Sequence, residues 1–457
     1  MATIETALEP TKLPPVYRRP QVLKLLIIAL LAEIAYAVLN ISTMPIYLVS
    51  VPAPGMHLIP NGRAFGASVI GLVLAAFLLS EAVFKSPMGH LADKFGPKTL
   101  MLVGPAISFF TTMVTLLLPN MGATAVEVLI FVFLRALDGI GAAMLWPAAF
   151  SAINELVPDE ERQQAMSWMN LCYMLGIALA FPLGGIANDV SGVKWAGLIL
   201  AAILFLAVSL AVWKLVPRLR IHDHTAIEQV DHGLQDFFRS IKQIPTYLLL
   251  SLVTFAGVGF PMVIFKIFPV DQFGYSETQI GLLILPGALI MAAASVPMSK
   301  FGERIGRIKA VHLGLGLCAA GMCLIATGAI VPFLRQPWLL AVGGIPLGVG
   351  FLMAIPAWMA NVSDIDPLRR GTNIGAIMTA QGLGAIIGAP IGAAMYEKLG
   401  PVGVQLGLGE SFGRYSPFVG CAVCLSFGWL LSLHILREPK GRRAEERSAE
   451  ISENPPP

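Results

Sequence analysis

The sequence predicts an all-α membrane protein in which twelve transmembrane helices form two pseudo-symmetric six-helix bundles. Three observations carry this prediction: an apolar composition, a series of long apolar stretches and an internal repeat. The chain has 457 residues, of which 56% are hydrophobic and 13% are charged, and its mean hydropathy is +0.74. Because soluble domains carry about 25% charged residues, the composition excludes a soluble fold.

Twelve apolar stretches are each long enough to cross a hydrocarbon core of about 30 Å as a helix. They are separated by short polar segments, as in a bundle that crosses the membrane repeatedly. The predicted spans are 22–49, 67–89, 98–118, 125–154, 163–188, 193–216, 246–270, 278–300, 308–330, 336–361, 371–397 and 414–436.

The distribution of Lys and Arg predicts that both termini are cytoplasmic. With that orientation, and with residues in the three positions at either end of a span assigned to the adjacent side, the inner side collects 23 of the 31 basic residues. Three more (Lys85, Arg135 and Lys266) fall deeper within spans. The outer side then has five, namely Arg63, Lys194, Arg335, Lys398 and Arg414. This asymmetry follows the positive-inside rule.

The internal repeat has a period of about 210 residues. SPMGHLADKFGPKTL at 86–100 returns as VPMSKFGERIGRIKA at 296–310, and Ile70-Gly71-Leu72 returns as Ile280-Gly281-Leu282. Pro147 with Pro356, Gly176 with Gly384 and Pro182 with Pro390 follow at nearly the same spacing. Matches at one period indicate two copies of one unit. The predicted organisation is a cytoplasmic tail (1–21), a six-helix bundle (22–217), a cytoplasmic linker (218–245), a second bundle (246–436) and a disordered cytoplasmic tail (437–457).

The segment between the second and third spans carries a family motif. The chain resembles the major facilitator superfamily, whose signature at this place is G-x-x-x-[DE]-[RK]-x-G-x-[RK]-[RK]. Gly89, Asp93, Lys94, Gly96 and Lys98 match it, and Thr99 departs from it. Glu303, Arg304 and Gly306 form a partial second copy. The resemblance covers essentially the whole chain and implies a solute transporter whose two bundles rock about a central site.

Two further motifs refine the resemblance. The helix 4 motif Arg-x-x-[polar]-Gly appears with Arg135, Asp138 and Gly139. The helix 5 motif of the family's exporters, G-x-x-x-G-P-x-x-G-G, is degraded, because Phe181 occupies the proline position and Pro182 comes one residue late. The helix 1 run AEIAYAVLNISTMPIYL, which contains Glu33, Asn40 and Pro45, resembles that of proton-driven multidrug exporters.

The charges of the loop motif predict a conformational latch. An acid at the cytoplasmic end of helix 2 can meet both nearby basic side chains and the positive N-terminal end of a neighbouring helix. Asp93, with Glu303 in the second copy, would then hold the cytoplasmic ends together in one of two states. The alternative is that these charges only anchor a short loop in the cytoplasm.

Ionisable residues within the first bundle predict a proton pathway. Glu81 and Lys85 are spaced i,i+4 and Arg135 and Asp138 i,i+3, so each pair can meet on one helix face, whereas Glu33 has no obvious local partner. A charge at bilayer depth costs on the order of 3 kcal/mol, so such residues usually face a cavity or a partner. We therefore expect Glu33, together with the two pairs, to couple proton movement to transport. The alternative is that these residues form static pairs that fix helix packing.

The resemblance places the substrate cavity between helices 1, 4, 7 and 10. Its candidate residues are mainly aromatic or apolar and favour a lipophilic solute over a sugar: Tyr36, Asn40, Trp146, Phe150, Phe255, Phe260, Trp358 and Met359. Small residues at every fourth position give smooth helix faces, and prolines bend helices. We expect the moving seam between the halves at Gly176, Pro182, Gly184, Gly384, Gly388, Pro390 and Gly392.

The sequence thus predicts a monomeric, multi-pass transporter in the cytoplasmic membrane that exports a lipophilic small molecule in exchange for protons. A proton-driven importer of a nutrient or metabolite, and a transporter-like sensor that moves nothing, are the alternatives. The lipid bilayer surrounds the protein, and the sequence implies no nucleic-acid partner and no cofactor. It implies no metal site either, because Cys421 and Cys424 lie in an apolar span with no histidine near. The sequence shows neither a nucleotide-binding loop nor a catalytic domain, so we do not expect an enzyme.

Overall fold

The computed structural model describes residues 15–49, 65–122, 124–158, 162–217, 244–363 and 370–436. Within these residues twelve long helices follow one another along the chain, which confirms the predicted twelve-helix architecture. The helices are α1 (Pro20–Leu48), α2 (Ala67–Phe95), α3 (Pro97–Leu117), α4 (Ala125–Glu155), α5 (Arg162–Ser191), α6 (Ala196–Leu215), α7 (Pro245–Met262), α8 (Glu277–Ile305), α9 (Arg307–Ala326), α10 (Pro337–Ser363), α11 (Arg370–Lys398) and α12 (Ser411–Ile435).

Eleven of the helices in the described part of the chain are long and apolar enough to span a membrane. The remaining helix, α8, has 29 residues, and Glu277–Met291 is the apolar part of it within the described residues. The predicted tail 437–457, nearly all of the linker 218–245 and two thirds of the tail 1–21 lie outside the described residues. The division of the chain into domains therefore stays a prediction.

The repeated motif forms a helix corner in both halves. α2 continues to Phe95 and α8 to Ile305, several residues beyond the predicted spans. Each ends at a glycine with a positive φ, 83° at Gly96 and 93° at Gly306. A residue with a β-carbon is disfavoured in that conformation, so the glycines allow the tight turn into α3 and α9.

Two helices near the centre of the bundle are interrupted. Within α1, Val38–Thr43 adopts a π-helical geometry before Pro45, whose missing N–H leaves the regular helical ladder incomplete. α7 ends at Met262, shortly after Pro261, and a short helix Ile267–Phe273 follows, whereas the sequence predicts one continuous span over 246–270. The two interruptions meet, because Lys266 in the α7 break donates to the carbonyl and the hydroxyl of Ser42 in the π-helical segment.

All five glycines expected at the seam between the halves pack inside a single half. A β-carbon at Gly388 would collide with the backbone of Ala256 in α7, and Gly384 and Gly392 face the same helix. In the first half, Gly176 packs against Glu33 of α1, and Gly184 also faces α1. The expectation for these five glycines is wrong, because the small-residue stripe of α5 faces α1 and that of α11 faces α7, each within its own half.

The two halves meet through α2 with α11 and through α5 with α8. Gly71 of α2 packs against Pro390 of α11, where a β-carbon would lie 3.0 Å from the proline Cα. Gly281 of α8 packs more closely still against Pro182 of α5, where a β-carbon would lie 2.5 Å from the proline Cα. The two prolines therefore do lie on the seam. These contacts lie toward the end of the bundle opposite residues 15 and 436, which we call the distal end, and they join the two halves there.

Candidate transport cavity

A cavity of about 320 Å³ lies within the bundle beside α1, at the lower end of the range for small-molecule sites. It receives side chains from α1, α2, α4 and α5 of the first half and from the α7 break and α11 of the second. The residues around it are Glu33, Tyr36, Ala37, Asn40, Ile41, Pro45, Leu74, Phe77, Leu78, Glu81, Ala142, Trp146, Tyr173, Ile177, Met262, Val263, Phe265, Lys266 and Ala389. Contributions from both halves make it a candidate site for alternating access.

Glu33 is a buried carboxyl on the wall of this cavity. Its side chain is only 4% exposed, and it lies in the middle of α1 against Gly176 of α5. Within the described part of the chain, no hydrogen bond or ion pair reaches the carboxyl group. A buried carboxylate without a partner is costly in a membrane interior. Glu33 therefore differs from the other acids around it, which are paired.

A fully buried polar network lies behind the cavity wall. Arg135 Nη1 lies 3.1 Å from Asp138 Oδ2, and the Asn40 amide donates to the same carboxylate oxygen at 3.1 Å. Tyr36, which precedes Asn40 by one helical turn, has its hydroxyl 3.0 Å from Ser108 Oγ. The pairing of Arg135 with Asp138 expected from their spacing is observed. However, Arg135 Nε and Nη2 and Asp138 Oδ1 have no hydrogen-bond partner among the described residues.

The second expected pair lies at the edge of the cavity. Lys85 Nζ is 2.8 Å from Glu81 Oε1, with the lysine side chain 51% exposed and the glutamate 15%. Glu81 also borders the cavity, whereas Lys85 is not among the residues that line it. Glu33 and Glu81 share the cavity, whereas Arg135 and Asp138 lie behind it.

Lys266 forms an ion pair at the distal side of the cavity that the sequence did not indicate. Its ammonium group lies 2.8 Å from Glu277 Oε2, and both side chains are 1% exposed. The ammonium also donates to Ser42 Oγ at 2.9 Å and to the Ser42 carbonyl, so all three of its N–H groups have acceptors. Asn188 donates to Glu277 at 3.0 Å. Lys266 and Glu277 are thereby bonded to α1 and α5 of the other half.

A further lysine lies close to this ion pair. Lys194, in the turn between α5 and α6, is buried. Burial lowers its pKa, and the nearby carboxylate of Glu277 opposes that shift. Two lysines thus compensate the charge of Glu277 at the distal end.

Five of the eight predicted cavity residues do not border this cavity. Tyr36, Asn40 and Trp146 do, and Phe150 packs against Trp146 with ring centroids 6.2 Å apart. The other four pack within the second half, because the α7 break and α11, rather than α10, reach the cavity from that half. Phe255 contacts Phe351, Phe260 contacts Gly392, and Trp358 and Met359 belong to an apolar core.

The residues of the predicted latch lie at the end of the bundle that carries the termini. Lys98 donates to the carbonyls of Trp213 and Val216 at 2.9 and 2.6 Å, so it caps the C-terminal end of α6 rather than a gate. Lys94 is exposed, with its ammonium 5.6 Å from the Phe95 ring, and Arg304 is exposed as well. The side chains of Asp93 and Glu303 lie outside the described residues, so their role stays a prediction.

The model of one protein family matches nearly the whole chain. The Major Facilitator Superfamily model matches residues 25–292 and 247–455. The chain belongs to the major facilitator superfamily. The overlapping matches agree with the internal repeat, and membership identifies the protein as a multi-pass membrane transporter rather than an enzyme.

Relatives within the superfamily include drug-resistance proteins. The chain is 25% identical to Multidrug resistance protein 2 of Bacillus subtilis over 343 residues, which cover 72% of this chain and 80% of that protein. It is 22% identical to Quinolone resistance protein NorA of Staphylococcus aureus over 380 residues, with 82% and 89% covered. Among solved structures, a D-xylose-proton symporter matches with a TM-score of 0.67 and 17% identity, covering 89% of this chain and 96% of that one. The structural likeness supports the fold.

Proposed function

We propose that this transporter exports lipophilic small molecules from the cytoplasm in exchange for protons. The observation that carries the proposal is the unpaired carboxyl of Glu33 on the wall of an aromatic cavity. A group that can bind and release a proton beside a solute site is what coupled transport requires. Membrane insertion with both termini in the cytoplasm, and action as a monomer, belong to the same proposal.

The cavity lining supports a lipophilic solute. Five aromatic side chains border it, and they offer broad apolar faces with few fixed hydrogen-bonding groups: Tyr36, Phe77, Trp146, Tyr173 and Phe265. Asn40 is the neutral amide on the wall, and its amide group is already engaged by Asp138 and Tyr36. A sugar would leave most of its hydroxyl groups without partners here. Two relatives named for multidrug and quinolone resistance support the same solute class.

Proton exchange at Glu33 provides a route to coupling. When Glu33 is protonated, the cavity wall is neutral at this point and an apolar solute can leave. When the proton is released to the cytoplasm, the carboxylate must be stabilised by water, by a cationic solute or by rearranged neighbours, because a buried charge costs on the order of 3 kcal/mol. An energy of that size is enough to shift a two-state equilibrium by about two orders of magnitude.

Proton-driven import of a nutrient or metabolite is the second candidate. It is favoured by Phe181, which replaces the proline of the exporters' helix 5 motif and packs against Phe265 at a centroid distance of 5.9 Å. A D-xylose-proton symporter with the same fold gives this candidate a named solute class. Direction of transport separates the two candidates.

Transport in inside-out membrane vesicles tests the proposal. We expect an acid lumen to drive accumulation of a lipophilic cation, with tetraphenylphosphonium and ethidium as probes, and D-xylose to remain unmoved. Dissipating the pH gradient with a protonophore should abolish the accumulation, and vesicles without the protein provide the background. Accumulation of D-xylose in right-side-out vesicles with an acid exterior, without any cation transport, would instead support import.

A further inference from the structure

The distal end contains a hydrogen bond between the halves that is unrelated to the cavity. Asp189, near the end of α5, accepts a hydrogen bond from the backbone N–H of Thr278 at 2.7 Å. Thr278 is the second residue of α8, so its N–H is one of the groups that a helix leaves unpaired at its start. The carboxylate of one half therefore caps a helix of the other half, where the helix dipole also favours negative charge.

A second contact of the same kind lies between α11 and α2. Glu397, near the end of α11, accepts hydrogen bonds from the backbone N–H of Ser68 at 2.9 Å and from its hydroxyl at 2.7 Å. Ser68 is the second residue of α2. Here the carboxylate comes from the second half and the capped helix from the first.

The two contacts are related by the internal repeat of the sequence. Thr278 follows Ser68 by 210 residues, and Glu397 follows Asp189 by 208, and both spacings occur among the repeat pairs. The close contacts of Gly71 with Pro390 and of Gly281 with Pro182 obey the same relation. Each half thus supplies one capping acid, one capped helix, one glycine and one proline to the contacts between the halves at the distal end.

We propose that Asp189 and Glu397 form paired distal latches, which hold the distal side closed by capping α8 and α2 across the seam. The latches exist only while the halves are together, because each acid and its helix belong to different halves. Opening the distal side for alternating access must break both, and the symmetry makes the two contributions similar. The inference depends on alternating access by this transporter but on no particular solute, direction or coupling ion.

Cysteine labelling of purified protein in lipid nanodiscs tests the latches. Ile280→Cys supplies the reporter, since Ile280 of α8 is fully buried against the core of the other half. Its reaction rate with a water-soluble maleimide reports opening of the distal seam, after subtraction of the five native cysteines measured in the parent protein.

We expect Asp189→Ala and Glu397→Ala each to raise the labelling rate about fivefold, the factor that corresponds to loss of a helix cap. The double variant should raise it about 25-fold, because both latches oppose the same opening. Ser68→Ala removes one hydroxyl at an exposed contact, and should raise the rate about twofold. This variant keeps the test decisive if an acid variant fails to fold.

Two controls separate a latch from general loosening. Glu410→Ala removes an exposed carboxylate at the same end and should leave the rate unchanged. Leu315→Cys places a reporter in the core of the second half, and its labelling should not respond to the acid variants. Unchanged Ile280→Cys labelling in the Asp189, Glu397 and Ser68 variants would overturn the proposal, as would an equal rise at Leu315→Cys. Because no solute or gradient is present, failure of the proposed export would leave this result intact.

Discussion

Glu33→Gln is expected to abolish transport driven by a pH gradient while leaving the amount of protein in the membrane unchanged. Glutamine has nearly the same size and polarity as a protonated glutamate, but it cannot release a proton. Since no partner holds the Glu33 carboxyl in the described structure, the substitution breaks no ion pair. The melting temperature in detergent should therefore change little.

The same variant distinguishes coupling from static packing. Movement of a lipophilic cation down its own gradient should persist in Glu33→Gln, because the cavity retains its shape and its aromatic walls. Full uphill transport by this variant would contradict a role of Glu33 in proton coupling. Loss of both uphill and downhill movement, together with a lower melting temperature, would instead support the packing role.

Glu277→Leu is expected to cause the largest loss of stability at the distal end. The substitution leaves the Lys266 ammonium buried without a carboxylate, and breaking a buried pair from one side costs about 3–5 kcal/mol. The melting temperature in detergent should fall markedly. Lys266→Met combined with Glu277→Leu should recover much of that loss, because the ammonium group buried directly against Glu277 is then removed as well.

The Glu81–Lys85 pair offers a matched control. Its ions are also 2.8 Å apart, but the lysine is half exposed, and pairs of that kind contribute about 0–1 kcal/mol. Lys85→Met should therefore lower the melting temperature only slightly. If Lys85→Met and Glu277→Leu lowered the melting temperature equally, burial of the Lys266–Glu277 pair would not determine how much that pair contributes to stability.

Local patterns in the sequence predict much of this structure. Apolar length identifies the helices, and the spacings of Glu81 with Lys85 and of Arg135 with Asp138 predict ion pairs that the structure contains. Each of these features depends on residues within a few positions of one another. Helix periodicity alone therefore predicts these helices and ion pairs, without knowledge of how the helices pack.

Features that depend on an interruption or on facing helices escape such reasoning. Lys266 and Glu277 are separated by the α7 break and a short helix, and the predicted eighth span begins one residue after Glu277. Their pairing is invisible without knowing that the α7 helix stops at Met262. Likewise, a stripe of small residues such as that of Gly384 and Gly388 shows that a helix has a close neighbour, but not which one. The carboxylate caps of Asp189 and Glu397 join residues 89 and 329 positions apart. The repeat relates the two caps to each other, but it does not show that either acid contacts a helix of the other half.

The central claim is that protons leave the lumen as solute enters it through this protein. Its most direct test uses proteoliposomes with an acid lumen and a trapped pH-sensitive dye, to which tetraphenylphosphonium is added. The wild type should raise the lumenal pH upon addition, and Glu33→Gln should not. Accumulation of the cation by the wild type with no change in lumenal pH would contradict proton exchange.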